Sequence, residues 1–174
     1  TALNITWLAD TNYAQTSGRV SYGGMGWADT SAWVASLNFN GISGWRLPTV
    51  TDTGTPGCGS LFWSGGDCGY NVNTATSEMA HMFYSTLGNV GYYNTSGVGP
   101  QAGWGLTNDG PFSNLQPYYY WSGTTYAPNP SDAWFFLFSL GFQLSGDKSG
   151  GFYAWAVSPG DALATVRPDD GSAL

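Results

Sequence analysis

Charge is what this chain has least of. Only 9% of its 174 residues are charged, and the bases number four: Arg19, Arg46, Lys148 and Arg167. Eleven acids oppose them, for a formal net charge of −7. So few cations cannot build the basic footprint that phosphate backbones require, which excludes nucleic acid as a partner. Attraction to anionic membranes or sulfated polymers is disfavoured for the same reason. Histidine is scarce as well: His81 stands alone, too few ligands for a zinc site built on Cys58 and Cys68. No run of 18 apolar residues occurs, so no transmembrane helix is expected.

The abundant residues point elsewhere. Aromatic residues make up 17% and there are 26 glycines, a composition opposite to that of a disordered chain. It reads as a loop-rich, β-leaning globule, long enough to bury a sizeable core. One domain is expected over residues 1–160, with a small, polar tail over 161–174. The two cysteines, Cys58 and Cys68, are either reduced core thiols or a disulfide. Sparse charge, plentiful Gly, Ser, Thr and Asn, and no nucleotide motif favour the disulfide in an exported protein. Closing so short a loop stabilises by about 2.5–3 kcal/mol in the chain-entropy model. A chain that starts at Thr1 fits a processed or trimmed product.

Periodicity places the elements. Leu3 to Ala9 alternates as a first strand, and residues 13 to 24 read as loop. A helix is expected from Trp27 to Leu37, with Gly26 as N-cap, Asp29 in the first turn, and Trp27, Thr30, Val34 and Leu37 on one face. Residues 49 to 73 form a long insertion that carries both cysteines. A second helix is expected from Thr76 to Leu87, with Met79, Met82, Phe83 and Leu87 as core filler and Gly88 as its stop. His81 lies off that stripe and reads as a solvated or hydrogen-bonded residue. Strands follow at Tyr118–Thr124 and Ala133–Ser145, the latter folding back at Leu140-Gly141, and the last at Phe152–Val157.

The stretch Gly44-Trp45-Arg46-Leu47-Pro48-Thr49 sets a cation between apolar neighbours. A guanidinium there needs carbonyl or carboxylate partners on most of its five donors. It is either a structural anchor tying a strand end to nearby loops or a ligand-binding arginine.

Several motifs occur together and in order: Trp-Arg-Leu-Pro-Thr at 45–49, Tyr-Trp-Ser-Gly-Thr at 120–124 and Tyr-Ala-Trp-Ala-Val at 153–157. With Leu3–Asp10, Ser77–Ala80, Leu106–Asn108, Gly110–Gln116 and Asp147-Lys148, they cover nearly the whole chain. In these the chain resembles the Lcl C-terminal-like domains of bacterial secreted and surface proteins, and is closest to members associated with PEP-CTERM sorting. The resemblance implies an α+β, C-type-lectin-like fold, two helices packed on a twisted, mostly antiparallel sheet with long loops. It also implies export to the bacterial cell surface or beyond, and a role in adhesion or matrix. Trp45, Arg46, Leu47, Pro48, Trp121 and Trp155 are then structural signature residues.

The departures are informative. Where relatives end the last strand in Arg-Pro-Gly, this chain has Ser158-Pro159-Gly160, so that contact is lost or supplied by Arg167. Leu140-Gly141 replaces Asn-Gly at the hairpin tip and puts an apolar group where water is expected. No sorting segment is recognisable in the tail, and basic patches like those proposed to bind sulfated glycans elsewhere in the family have no counterpart. The active-site cysteine pair of formylglycine-generating enzymes, which share the fold, is not matched, because Cys58 and Cys68 lie in the variable insertion. The calcium motifs of true C-type lectins are missing. Asn108, Asp109, Asn129 and Asp132 supply loop oxygens for Ca²⁺, with turn formation as their competing use.

No nucleophile–base pair, metal cluster or convincing carboxylate pair stands out, so the expected function is not catalytic. It is contact through nearly uncharged aromatic surfaces, either with further copies in a matrix, biofilm or filament or with glycans. The candidate contact residues are Trp63, Trp104, Tyr118, Tyr119 and Tyr120, with Leu140, Phe142 and the tail for self-contacts. No cofactor is expected apart from Ca²⁺.

Overall fold

The computed structural model describes residues 3–58 and 66–160, and the backbone of 165–166. In chain order the elements are β1 (Ile5–Leu8), α1 (Tyr13–Thr16), β2 (Gly24–Met25), α2 (Trp27–Ala35), β3 (Gly69–Tyr70) and α3 (Glu78–Ala80). The chain continues as a π-helical segment (His81–Thr86), then β4 (Tyr119–Thr125), β5 (Asp132–Leu137), β6 (Phe142–Asp147), β7 (Phe152–Tyr153), β8 (Val157–Pro159) and β9 (Thr165–Val166). The architecture is α+β. A large sheet runs β2-β7-β4-β5-β6-β3, antiparallel except where β4 meets β7. A small sheet runs β8-β1-β9, with β9 parallel to β1.

The aromatic content explains why β5 is central. Its sequence, Asp-Ala-Trp-Phe-Phe-Leu, has no polar alternation, and Ala133 through Leu137 are all buried. On one face Phe136 meets Phe83 of the π segment and Phe138; on the other Phe135 meets Tyr119 and Phe152. Trp134 packs with Tyr126 beside Val50 and the cysteines in a separate cluster. Each such buried ring contributes roughly 1.5–3 kcal/mol of hydrophobic stabilisation. Cys58 and Cys68 form a disulfide, as expected, and both are fully buried. Cys58 also meets the β6 edge, since Ser145 donates its N–H to Cys58 O at 2.8 Å. Edge strands β2 and β3 are two residues long, which leaves little template for strand addition.

Several expectations are corrected. The last strand does not run unbroken from Phe152 to Val157. β7 belongs to the large sheet and β8 to the small one, and buried Ala154, Trp155 and Ala156 cross between them. Trp155 forces the crossing: its indole packs on Trp7, Phe112 and Phe138, and its Nε1–H donates to Leu8 O at 2.8 Å. The first helix ends at Ala35, and residues 13 to 24 hold α1 and β2 where only loop was expected. The second helix starts later, at Glu78, with Ser77 Oγ capping the Ala80 N–H, and it widens into π geometry. There Leu87 N–H reaches Met82 O and Thr86 Oγ1 lies 3.3 Å from His81 Nδ1, both five residues apart. Met79, Met82, Phe83 and Leu87 all stay buried, as their spacing predicts. The Leu140-Gly141 tip is only partly open to water: Leu140 is half-buried against the core, and its carbonyl accepts the Tyr92 N–H.

Candidate functional site

Arg46 finds its partners locally. Its backbone pairs with Val157 through N–H···O bonds of 2.8 Å in both directions, which joins the Trp-Arg-Leu-Pro stretch to β8. The guanidinium grips Glu78 bidentately, Nη1 to Oε2 and Nη2 to Oε1, each at 2.7 Å, and Nη1 also donates to Leu47 O at 3.0 Å. Glu78 Oε2 accepts the Thr49 N–H as well. The start of α3 is thereby tied to the strand-like segment, the first of the two roles foreseen for this arginine. The Glu78 hydrogen bond raises the Arg46 pKa against the opposing effect of burial. The other signature residues are scaffold too: Trp45, Leu47, Pro48, Trp121 and Trp155 are buried, and the Trp121 Nε1–H donates to Met25 O at 2.9 Å.

Beside the clamp lies a cleft of about 230 Å³, lined by Trp27, Ser31, Ala35, Trp45, Arg46, Leu47, Thr49 and Gly123. α2 supplies one wall, because its i, i+4 spacing puts Trp27, Ser31 and Ala35 on one stripe. Trp27 is held at its polar end by Ser122 O at 2.7 Å, and Lys148 Nζ sits 4.4 Å from its ring centroid. Ser31 Oγ is shielded from solvent and has no hydrogen-bond partner among the described residues. Sequence reading missed this cleft, since an amphipathic stripe on α2 looks the same whether it meets a core or a cavity.

The contact candidates separate sharply. Tyr120 and Phe142 are removed as contact residues: both lie in the core, Tyr120 against Phe138 and Phe142 against Tyr70. Tyr120 is held further by Thr11 Oγ1 and the Gln116 N–H, and burial raises its pKa. Tyr119 is half-buried between Phe135 and Phe152, and Leu140 is half-buried against the core. Tyr118 and Trp104 remain exposed, at 48% and 39%. Trp63, Arg167 and the side chains of the tail lie outside the described residues.

Trp104 does not stand alone. It packs edge-on to Tyr92 at 4.9 Å, Tyr92 to Tyr93 at 4.8 Å, and Tyr93 to buried Tyr70 at 4.8 Å, a chain of rings running from surface to core. Val98, on the same loop, is 64% exposed. The loop is pinned: Asn94 Oδ1 accepts the N–H groups of Ser96 and Val98, Gln101 N–H donates to Tyr92 O, and Gln101 Nε2 donates to Gly91 O. Burial pushes the phenols beneath it, Tyr70 and Tyr84, up to about 12. Sequence reading found Trp104 and passed over its neighbours, although one signal was there. Between Glu78 and Asp132 the only charged residue is Asp109.

Of the residues considered for Ca²⁺, the two asparagines use their side-chain oxygens in their own turns. Asn108 Oδ1 accepts the Gly110 N–H while its Nδ2 donates to Leu87 O, and Asn129 Oδ1 accepts the Ser131 N–H. The two aspartates join turns through the main chain alone: the Asp109 carbonyl accepts the Phe112 N–H and the Asp132 carbonyl the Tyr126 N–H. Among the described residues no group of three or more His, Cys, Asp or Glu side chains gathers as a metal site.

The motif-bearing residues thus build one scaffold, and a family model described as the Lcl C-terminal domain matches residues 1–158. The chain belongs to the Lcl C-terminal domain family. No curated protein and no solved structure matches it. In this Lcl C-terminal domain the signature arginine ties the Trp-Arg-Leu-Pro stretch to α3, and the exposed aromatic surface lies on a separate loop. Family membership and the disulfide point to a secreted or surface protein. Among the described residues no helix is long and apolar enough to cross a membrane.

Proposed function

We propose that this protein is a non-catalytic extracellular or cell-surface module that associates with further copies of itself, in a matrix, biofilm or filament, through its uncharged aromatic loop. The observation that carries this reading is the ordered exposure of Trp104 and Val98 over Tyr92 and Tyr93, on a loop without a charged residue. A pinned loop loses little conformational entropy on docking, and aromatic side chains dominate the cores of interfaces. Short sheet edges favour association by side-chain faces over strand addition.

Electrostatics gives the reading a signature. Arg46 is spent on Glu78, and Lys148 is engaged with Trp27, Thr125 and Pro130, so Arg19 is the one free cation among the described residues. Copies carrying a formal charge of −7 repel at low salt, and an apolar contact is relieved of that repulsion when salt screens it. Self-association is therefore expected to strengthen from low to physiological salt, unlike a contact made of ion pairs. Light scattering over a concentration series tests it. Mass that rises with concentration and falls back to monomer in Trp104→Ala is expected; a monomer at every concentration and salt contradicts it. A monomer that nevertheless binds glycans through the same loop transfers the role to glycan adhesion.

A further inference from the structure

We infer that the cleft beside Arg46 is a binding site for a single neutral pyranose ring, such as the terminal sugar of a glycan. The site shares no residue with the Trp104 loop, so it stands or falls independently of self-association.

Size sets the first limit. At about 230 Å³ the cleft is smaller than the roughly 300–1,000 Å³ pockets that take drug-sized ligands. It holds about eight waters at about 30 Å³ each, room for one six-membered ring and not for a chain of them.

The walls set the second. Trp27, Ala35, Trp45 and Leu47 offer apolar and indole surface suited to the C–H face of a ring. A wholly apolar guest is a poor match, because it would leave polar groups at the site unpaired. Arg46 uses two Nη1–H donors and one from Nη2, which leaves Nε–H and the second Nη2–H without a partner among the described residues. Its side chain is 35% exposed. Ser31 lines the same cleft, and its hydroxyl, shielded from solvent and without a partner among the described residues, reaches a guest after rotation about χ1. Thr49 adds another hydroxyl at the rim.

Charge sets the third. Arg46 is already neutralised by Glu78 at 2.7 Å, so an anionic ligand gains little from the guanidinium and meets the carboxylate beside it. The formal charge of −7 acts in the same direction. A neutral ring bearing adjacent hydroxyls satisfies all three limits, since each hydroxyl both donates and accepts. For so small a ligand, Kd on the order of 1 mM is expected.

Saturation-transfer NMR with the methyl glycosides of glucose, galactose and mannose tests the site, with glucuronate and cyclohexanol as anionic and apolar controls. Transfer to at least one neutral glycoside, exceeding both controls, is expected. Ala35→Trp, at an exposed rim position, is expected to fold normally and lose the signal. Ser31→Ala is expected to weaken binding about threefold to tenfold, one neutral hydrogen bond, without lowering the melting temperature of the free protein. That combination separates a ligand contact from a structural role. The proposal is overturned by no transfer to any of the three glycosides, by transfer that survives Ala35→Trp, or by tighter binding of glucuronate or cyclohexanol.

Discussion

Replacing Glu78 by alanine removes the acceptor for two Arg46 N–H bonds and for the Thr49 amide in one step. The guanidinium stays beside the buried Leu47 and Trp45 with only Leu47 O to accept from it. Breaking a fully buried pair costs about 3–5 kcal/mol, and an exposed pair is worth about 0–1 kcal/mol. Here Glu78 is 14% and Arg46 35% exposed at the side chain, so the pair sits between those limits, and the loss is expected near 2–3 kcal/mol. In a chain of this length that lowers the melting temperature by roughly 5–10 °C. Urea unfolding of the oxidised protein measures it, with the midpoint shifted and the slope unchanged. Arg46→Lys is expected to recover less than half of the loss caused by Arg46→Ala, because an ammonium cannot reproduce the two-pronged grip. A Glu78→Ala protein within about 0.5 kcal/mol of the parent would refute the clamp. So would an Arg46→Ala protein of full stability that had lost only its partner.

Other perturbations give distinct signatures. Reducing Cys58–Cys68, or replacing both by serine, reopens a loop of sequence separation 10 and is expected to cost up to about 2.7 kcal/mol, read as a lower urea midpoint. Gly44→Ala and Gly141→Ala both force a side chain to positive φ, but only at Gly141 would the new Cβ collide, 2.6 Å from the Phe83 ring and 3.0 Å from Gly91 Cα. Gly44→Ala is expected to cost about 1–2 kcal/mol and Gly141→Ala clearly more, by the same unfolding assay. Tyr70 and Tyr84 titrate near 12 when folded and near 10 when unfolded, so their protonated forms stabilise the fold below pH 10. That contribution is lost as pH rises through 10 to about 12, and tyrosinate absorbance is expected to rise in two phases, the second coinciding with loss of near-UV dichroism. A single phase near pH 10 with the fold intact would contradict the burial of these rings.

The elements most legible in the sequence are those with a local cause. Gly26 and Asp29 mark the start of α2, the run Ala133–Leu137 marks the central strand, and Leu140-Gly141 marks its turn. The disulfide was legible from composition, and the need of Arg46 for carbonyl or carboxylate partners from its apolar neighbours. Its carboxylate partner was not, because Glu78 lies 32 residues away and reads locally as a first-turn acid. The break at Ala154–Ala156 was hidden for a similar reason: the groups that hold Trp155 there, Trp7, Phe112, Phe138 and the Leu8 carbonyl, are distant in sequence or lie in other elements. Exposure was the least legible property. Tyr118, Tyr119 and Tyr120 are adjacent and identical, yet one is exposed, one half-buried and one enclosed, as pairing with Leu137 and Phe136 dictates. The cleft is lined by segments far apart in sequence, from Trp27 to Gly123, so it leaves no compact motif.

The Trp104 loop is proposed as the contact between copies. Sedimentation velocity of the oxidised protein over a hundredfold range of concentration, at low and physiological salt, tests this most directly when the parent and Trp104→Ala are run side by side. The parent is expected to form larger species as concentration rises, more so at the higher salt, while Trp104→Ala stays folded and monomeric, with its urea midpoint lowered by the lost contact with Tyr92. Identical sedimentation of the two proteins, or association that weakens as salt is added, would contradict it.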